Sequence, residues 1–142
     1  MNRFEHAIHT ARREEGELTT ERFSELWMES QRAMFGDSVT LTDNYGLWWS
    51  YVSHFIGTPG YVYAYAFGQL LVLALYARYK QVGGDFPERY LAMLSAGGSD
   101  GPREVVKPLG VVLQDPAFWR GGLSMVEDMV AEAEELAREV SN

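Results

Sequence analysis

Eighteen consecutive residues, Gly60 to Ala77 (GYVYAYAFGQLLVLALYA), carry no charge in a chain whose 142 residues sum to a formal charge of −8. A run of ~17–25 apolar residues can cross a bilayer; failing that, it must be a helix that other helices cover on every side. Four features oppose a span. Tyr61, Tyr63, Tyr65 and Tyr76 lie within the run rather than in belts at its two ends. Gln69 sits near its middle, and its amide needs a partner. Arg78 and Lys80 flank one end alone. The remaining sequence reads as amphipathic helices of a soluble protein. The expectation is a long, buried, central helix and no membrane partner.

Around that run the periodicity is helical, and the predicted fold is all-α, with about six or seven helices in a single unit over residues 1–142. Asn2 to Glu14 forms a first helix ended by Gly16. Thr19 is a hydroxyl N-cap, with Leu18 and Phe23 at the hydrophobic-staple positions. The helix it opens carries Phe23, Leu26, Trp27, Ser30 and Met34 at three- and four-residue steps up to Gly36. Asp37 to Asn44 reads as a polar loop, and the aromatic stretch Gly46 to Phe55 as another helix. Thr58-Pro59 has the cap-then-proline form of a helix start, with Gln81 near the end. A shorter helix follows from Phe86 to Ala96, and another from Pro102 to a break at Lys107-Pro108. Asp115-Pro116 opens the last. Its Leu123, Val126, Val130, Ala133, Ala137 and Val140 form a stripe expected to be buried, with Glu127, Asp128, Glu132, Glu134, Glu135 and Glu139 mainly on the solvated side. Val111-Val112-Leu113 is strand-like but too short to build a sheet.

Charge and composition exclude several functions. With 12 basic against 20 acidic residues, the chain lacks the clustered Lys and Arg that bind nucleic acid or an anionic membrane surface. It has no cysteine, so disulfides, thiol catalysis and Cys-based zinc knuckles are out. The three histidines are His6, His9 and His54. His6-Ala7-Ile8-His9 puts two imidazoles on one helical face, but H-E-x-x-H needs a spacing of four, and no third ligand is evident. Gly97-Gly98-Ser99-Asp100-Gly101 lacks the P-loop Lys-Ser/Thr and a preceding strand, so it reads as a turn. No G-x-S-x-G elbow occurs. Met1-Asn2-Arg3-Phe4-Glu5 has no basic-then-apolar leader, which suggests a cytoplasmic protein.

The tyrosines leave two readings open. A buried phenol requires a hydrogen-bond partner, so they form either a core of satisfied tyrosines beside His54 or the wall of a cleft. Tyr61 and Tyr65 are four apart and share a helical face. Gly68 continues that face and leaves space above the backbone. His54, Tyr61 and Tyr65 together could donate hydrogen bonds to an oxygen that becomes negative during a reaction.

The run His54-Phe55-x-x-x-Pro59-x-Tyr61-Val62-Tyr63-x-Tyr65-Ala66-x-Gly68 resembles the C-terminal active-site segment of oligoendopeptidase F, a member of the thimet-oligopeptidase-like zinc metallopeptidases. Phe4-Glu5-x-x-Ile8-His9 and Gly16-Glu17-Leu18-Thr19 upstream are similar to the same family. So are Glu88-Arg89-Tyr90-Leu91, Ser95-Ala96-Gly97-Gly98-Ser99, Lys107-Pro108-Leu109-Gly110 and Asp115-Pro116-x-Phe118-Trp119 downstream. The resemblance implies a helical fold around a cleft for short peptides, zinc held by H-E-x-x-H and a later glutamate, and a general-base glutamate. It makes His54, Tyr61 and Tyr65 the expected catalytic side chains, with Tyr63, Gly60 and Gly68 against the substrate. H-E-x-x-H is absent from this sequence. The expectation is therefore a C-terminal portion of such a peptidase, without metal or activity on its own, that associates as a homodimer or larger through exposed apolar surface. The competing expectation is a stand-alone helical module that binds peptides or a partner.

Overall fold

A computed structural model describes residues 1–140. Among them are seven α-helices, two 3-10 segments and no strand, so the all-α expectation holds. The helices are α1 (Asn2–Glu15), α2 (Thr20–Phe35), α3 (His54–Gly57), α4 (Tyr63–Val82), α5 (Phe86–Ala96), α6 (Pro102–Val106) and α7 (Pro116–Val140). The chain divides into two compact units, Met1–Ala66 and Phe67–Asn142. No linker marks the division, because it falls inside α4.

The first unit is built on aromatic residues. Phe4, Ile8 and Ala11 recur at helical spacing on α1 and pack with Leu26, Trp27 and Met28 of α2, joined by Phe55 and Val62. Phe4 meets both Trp27 and Phe55 edge-on, with ring centroids 5.2 and 4.8 Å apart. Such contacts add to what area burial alone provides. The Thr19 hydroxyl accepts from the Arg22 amide at 3.2 Å, so the cap forms as its sequence position predicts. Arg22 also grips the last residue of α1: its guanidinium donates to both oxygens of Glu15, at 2.8 and 3.1 Å. This pair holds the Glu15 carboxyl below its usual range, chiefly through the hydrogen bond.

Gly46 to Phe55 is not one helix. A 3-10 segment, Asp43–Tyr51, lies against α2, and α3 follows as a single turn. Phe23 stacks on Trp49 at 4.7 Å, Trp49 donates to Ser24 Oγ, and the Tyr45 hydroxyl donates to Gln31 Oε1. These aromatic anchors, rather than continuous helical hydrogen bonding, fix the segment. The start signal at Thr58-Pro59 is likewise displaced. Thr58 ends α3, Gly60 adopts a φ of 78°, and α4 begins only at Tyr63. A left-handed glycine cannot continue into a right-handed helix, so the proline sits in a turn.

In the second unit, Leu75 of α4 packs with Phe86, Val106, Leu109 and Val111. The Trp119 indole donates to the Leu113 carbonyl at 2.8 Å, and the Asp115 carboxylate accepts the Ala117 amide at 2.8 Å to cap α7. Near its start α7 lies against α4 so closely that a Cβ on Gly122 would come within 2.9 Å of the Ala74 nitrogen and the Leu70 oxygen.

Two burial expectations fail. The helix α4 is not covered on all sides: within it only Ala74 and Leu75 are buried, and Gln69 meets solvent. The α7 stripe of Leu123, Val126, Val130, Ala133, Ala137 and Val140 is exposed. Periodicity marks a face that suits burial, but it does not supply the surface that buries it. No helix among the described residues is long and apolar enough to cross a membrane.

Candidate functional site

The turn from α3 into α4 holds the side chains of interest between two buried anchors. Phe55 points into the core against Phe4 and Trp27, and Val62 is buried in the same cluster. Each anchor has a polar aromatic neighbour in sequence, His54 before Phe55 and Tyr61 before Val62. The alternation of buried and accessible residues turns these two neighbours out of the core. Tyr61 is 43% exposed and Tyr65 58%, whereas Phe55 is 1% exposed.

His54, Tyr61 and Tyr65 form one three-ring cluster. The imidazole stacks on Tyr61, with centroids 5.3 Å apart and planes 20° from parallel. Tyr65 stands edge-on to both rings, its centroid 5.8 Å from each. Its hydroxyl lies 3.4 Å from His54 Nε2, a long hydrogen bond that another partner can readily replace. The tautomer sets its direction. With Nε2 unprotonated, the Tyr65 proton points at the imidazole. With Nε2 protonated, His54 donates to Tyr65 and leaves the phenolic proton free for another acceptor. Neither phenol lies in the core of the first unit.

The other expected substrate residues stand apart from this cluster. Tyr63 is exposed, but it is two positions from Tyr65 in α4 and so projects from a different side of that helix. Gly60 contributes its backbone: its positive φ makes the turn, and its N–H donates to Glu5 Oε1 at 2.8 Å. A Cβ on Gly68 would meet nothing within 4 Å, the open space expected there. Glu5 is the residue that sequence reasoning left without a structural role. An acid in a first helical turn ordinarily reads as a solvated partner of the helix dipole, yet this one is buried. Its place immediately after Phe4, the most buried residue of α1, is the available sequence signal.

The donor set does not fit a zinc ion. His6 and His9 share a face of α1, but among the described residues no group of three or more His, Asp or Glu side chains is placed to hold a metal.

Comparison with known proteins gives the family of this chain. The model of peptidase family M3 matches residues 1–124, and the chain belongs to that family. Oligopeptidase PepF of Bacillus subtilis is 34% identical over 137 residues, which covers 96% of this chain and 20% of that protein. Group B oligopeptidase PepB of Streptococcus agalactiae is 32% identical over 135 residues, covering 94% of this chain and 22% of the relative. The oligoendopeptidase F homolog of Borreliella burgdorferi is 32% identical over 114 residues, 80% of this chain and 19% of its own length. The chain thus spans about a fifth of the length of these relatives. No solved structure matches it.

Proposed function

We propose that this chain is the C-terminal portion of an oligoendopeptidase-F-like zinc metallopeptidase, contributing the face of the cleft that holds a short peptide and stabilises the oxyanion. The observation that carries the reading is the His54–Tyr61–Tyr65 cluster, whose polar edges are exposed while Phe55 and Val62 fix the backbone beneath. A phenol or imidazole N–H fixed in this way can donate to a carbonyl oxygen that gains charge as a tetrahedral centre forms. Donors set in place beforehand need no reorganisation at that moment, which is where most of their catalytic value lies. His54, Tyr61 and Tyr65 have this role, while Tyr63, Gly60 and Gly68 bound the peptide. Zinc would be held by the H-E-x-x-H motif of an intact family enzyme, since the described residues of this chain make no site for it.

Purified chain is expected to carry no stoichiometric zinc and to leave a quenched fluorescent peptide uncleaved. Elemental analysis that finds one zinc per chain, together with chelator-sensitive cleavage, would overturn the proposal.

A second reading is a stand-alone, non-catalytic module that binds peptides or associates with itself. It is favoured by the exposed Leu123, Val126, Met129, Val130 and Leu136 of α7, because exposed apolar surface of this kind favours association. On that reading the chain is a homodimer or larger; a clean monomer by light scattering at high concentration counts against it.

A further inference from the structure

Between its buried anchors Phe55 and Val62, the chain runs through six exposed residues, Ile56 to Tyr61. Local hydrogen bonds shape this segment: the amides of Gly57 and Thr58 donate to the carbonyls of Ser53 and His54. Among the described residues, a single hydrogen bond ties the segment to α1 or α2, from the Gly60 N–H to Glu5 Oε1 at 2.8 Å. It joins residues 55 positions apart in sequence. It also falls on the glycine whose positive φ aims the next residue, Tyr61, at His54.

Glu5 is an expensive choice for that task. It is 3% exposed and follows Phe4 in the wall of the aromatic core. Burying a carboxylate is costly, and an apolar side chain of similar size at such a place is often neutral or stabilising. Gly60, in contrast, is exposed, so its amide could be satisfied by water. A stable core therefore does not require this bond. What the bond fixes is the place of the Gly60 peptide, and with it the start of Tyr61.

We propose that Glu5 is a positioning residue, whose buried carboxylate pins the Gly60 amide and so holds Tyr61 stacked on His54. This rests on the peptide-binding reading only for its consequence, not for its geometry. With the pin in place the stacked arrangement is the populated one. Without it, residues 56–61 sample other arrangements, and apparent peptide affinity falls by the fraction of time the cluster is assembled.

The test compares Glu5→Leu, which fills the volume without an acceptor, with Glu5→Gln, which keeps an oxygen. In Glu5→Leu the melting temperature is expected to hold or rise. Its Gly60 amide should exchange with solvent about tenfold faster or more, and the His54 ring protons should lose the upfield shift that stacking on Tyr61 imposes. Glu5→Gln should restore both signals to nearly wild-type values. An unstructured hexapeptide of Gly, Ala and Phe should bind Glu5→Leu about tenfold more weakly than wild type. A folded Glu5→Leu with unchanged Gly60 exchange and His54 shifts would overturn the proposal. A Glu5→Leu that unfolds would make Glu5 a residue of stability and overturn it as well. If the hexapeptide fails to bind wild type, the functional reading falls, while the Gly60 and His54 signals still decide the role of Glu5.

Discussion

The two units of this chain use similar amounts of sequence to different ends. In Met1–Ala66, three aromatic side chains and the aliphatic residues between them close a core, and an exposed turn is anchored on it at Phe55 and Val62. In Phe67–Asn142 the core is smaller, and much of α7 leaves its apolar side in solvent. A helix can be amphipathic in sequence and still leave most of its apolar side exposed. The first unit therefore anchors the turn that carries His54 and Tyr61, whereas the second leaves apolar side chains exposed.

The largest expected effect is at the anchor. Phe55→Ala removes a ring buried against Phe4 and Trp27 and should cost about 3–5 kcal/mol in chemical denaturation. A loss below about 1 kcal/mol would mean that the aromatic cluster does not hold the turn. Next comes the close approach in the second unit. Gly122→Ala should destabilise by about 1–3 kcal/mol, because its Cβ meets backbone atoms that cannot move aside. Gly68→Ala, with open space around it, should instead stabilise by about 0.5–1 kcal/mol through helix propensity. Opposite signs at two helical glycines would confirm that contact, rather than residue type, governs the second unit.

These glycines also indicate what the sequence could and could not reveal. Several caps and breaks were legible because their chemistry is local: Thr19, Asp115-Pro116 and Pro102 sit where their residue types predict, whereas Thr58-Pro59 ends one helix without opening the next. The grouping of His54, Tyr61 and Tyr65 was legible too, since they lie within twelve residues of one another, although Tyr61 precedes α4 and meets Tyr65 from the turn rather than from a shared helical face. The burial of Glu5 was not. It depends on a contact 55 residues away, and nothing in a first-turn acid announces such a partner. The exposure of α7 was hidden for a related reason. Hydrophobic periodicity reports which side of a helix seeks cover, whereas the covering surface is a property of other residues.

Smaller effects sharpen the contrast. Val130→Lys on the exposed side of α7 should change unfolding stability by no more than about 0.5 kcal/mol. If that side is an interface between copies, the same substitution should shift the oligomer toward monomer in light scattering. The smallest effect belongs to the Glu15–Arg22 pair. Its hydrogen bond lowers the Glu15 pKa in the folded chain, so the folded state binds that proton more weakly than the unfolded state does. The pair's contribution is then complete above the unfolded carboxyl pKa and is lost as pH falls through the folded one. A melting-temperature profile should decline less on acidification in Arg22→Ala than in wild type. An identical decline would show that the exposed pair contributes nothing measurable.

The most direct test of the central claim is an NMR titration of the chain with the Gly, Ala and Phe hexapeptide, following the aromatic signals of His54, Tyr61 and Tyr65. If these three rings form one peptide-binding face, their signals should shift together along a single saturating curve, and His54→Ala should weaken it. Signals that stay in place at saturating peptide, or shifts confined to α7, would contradict the account.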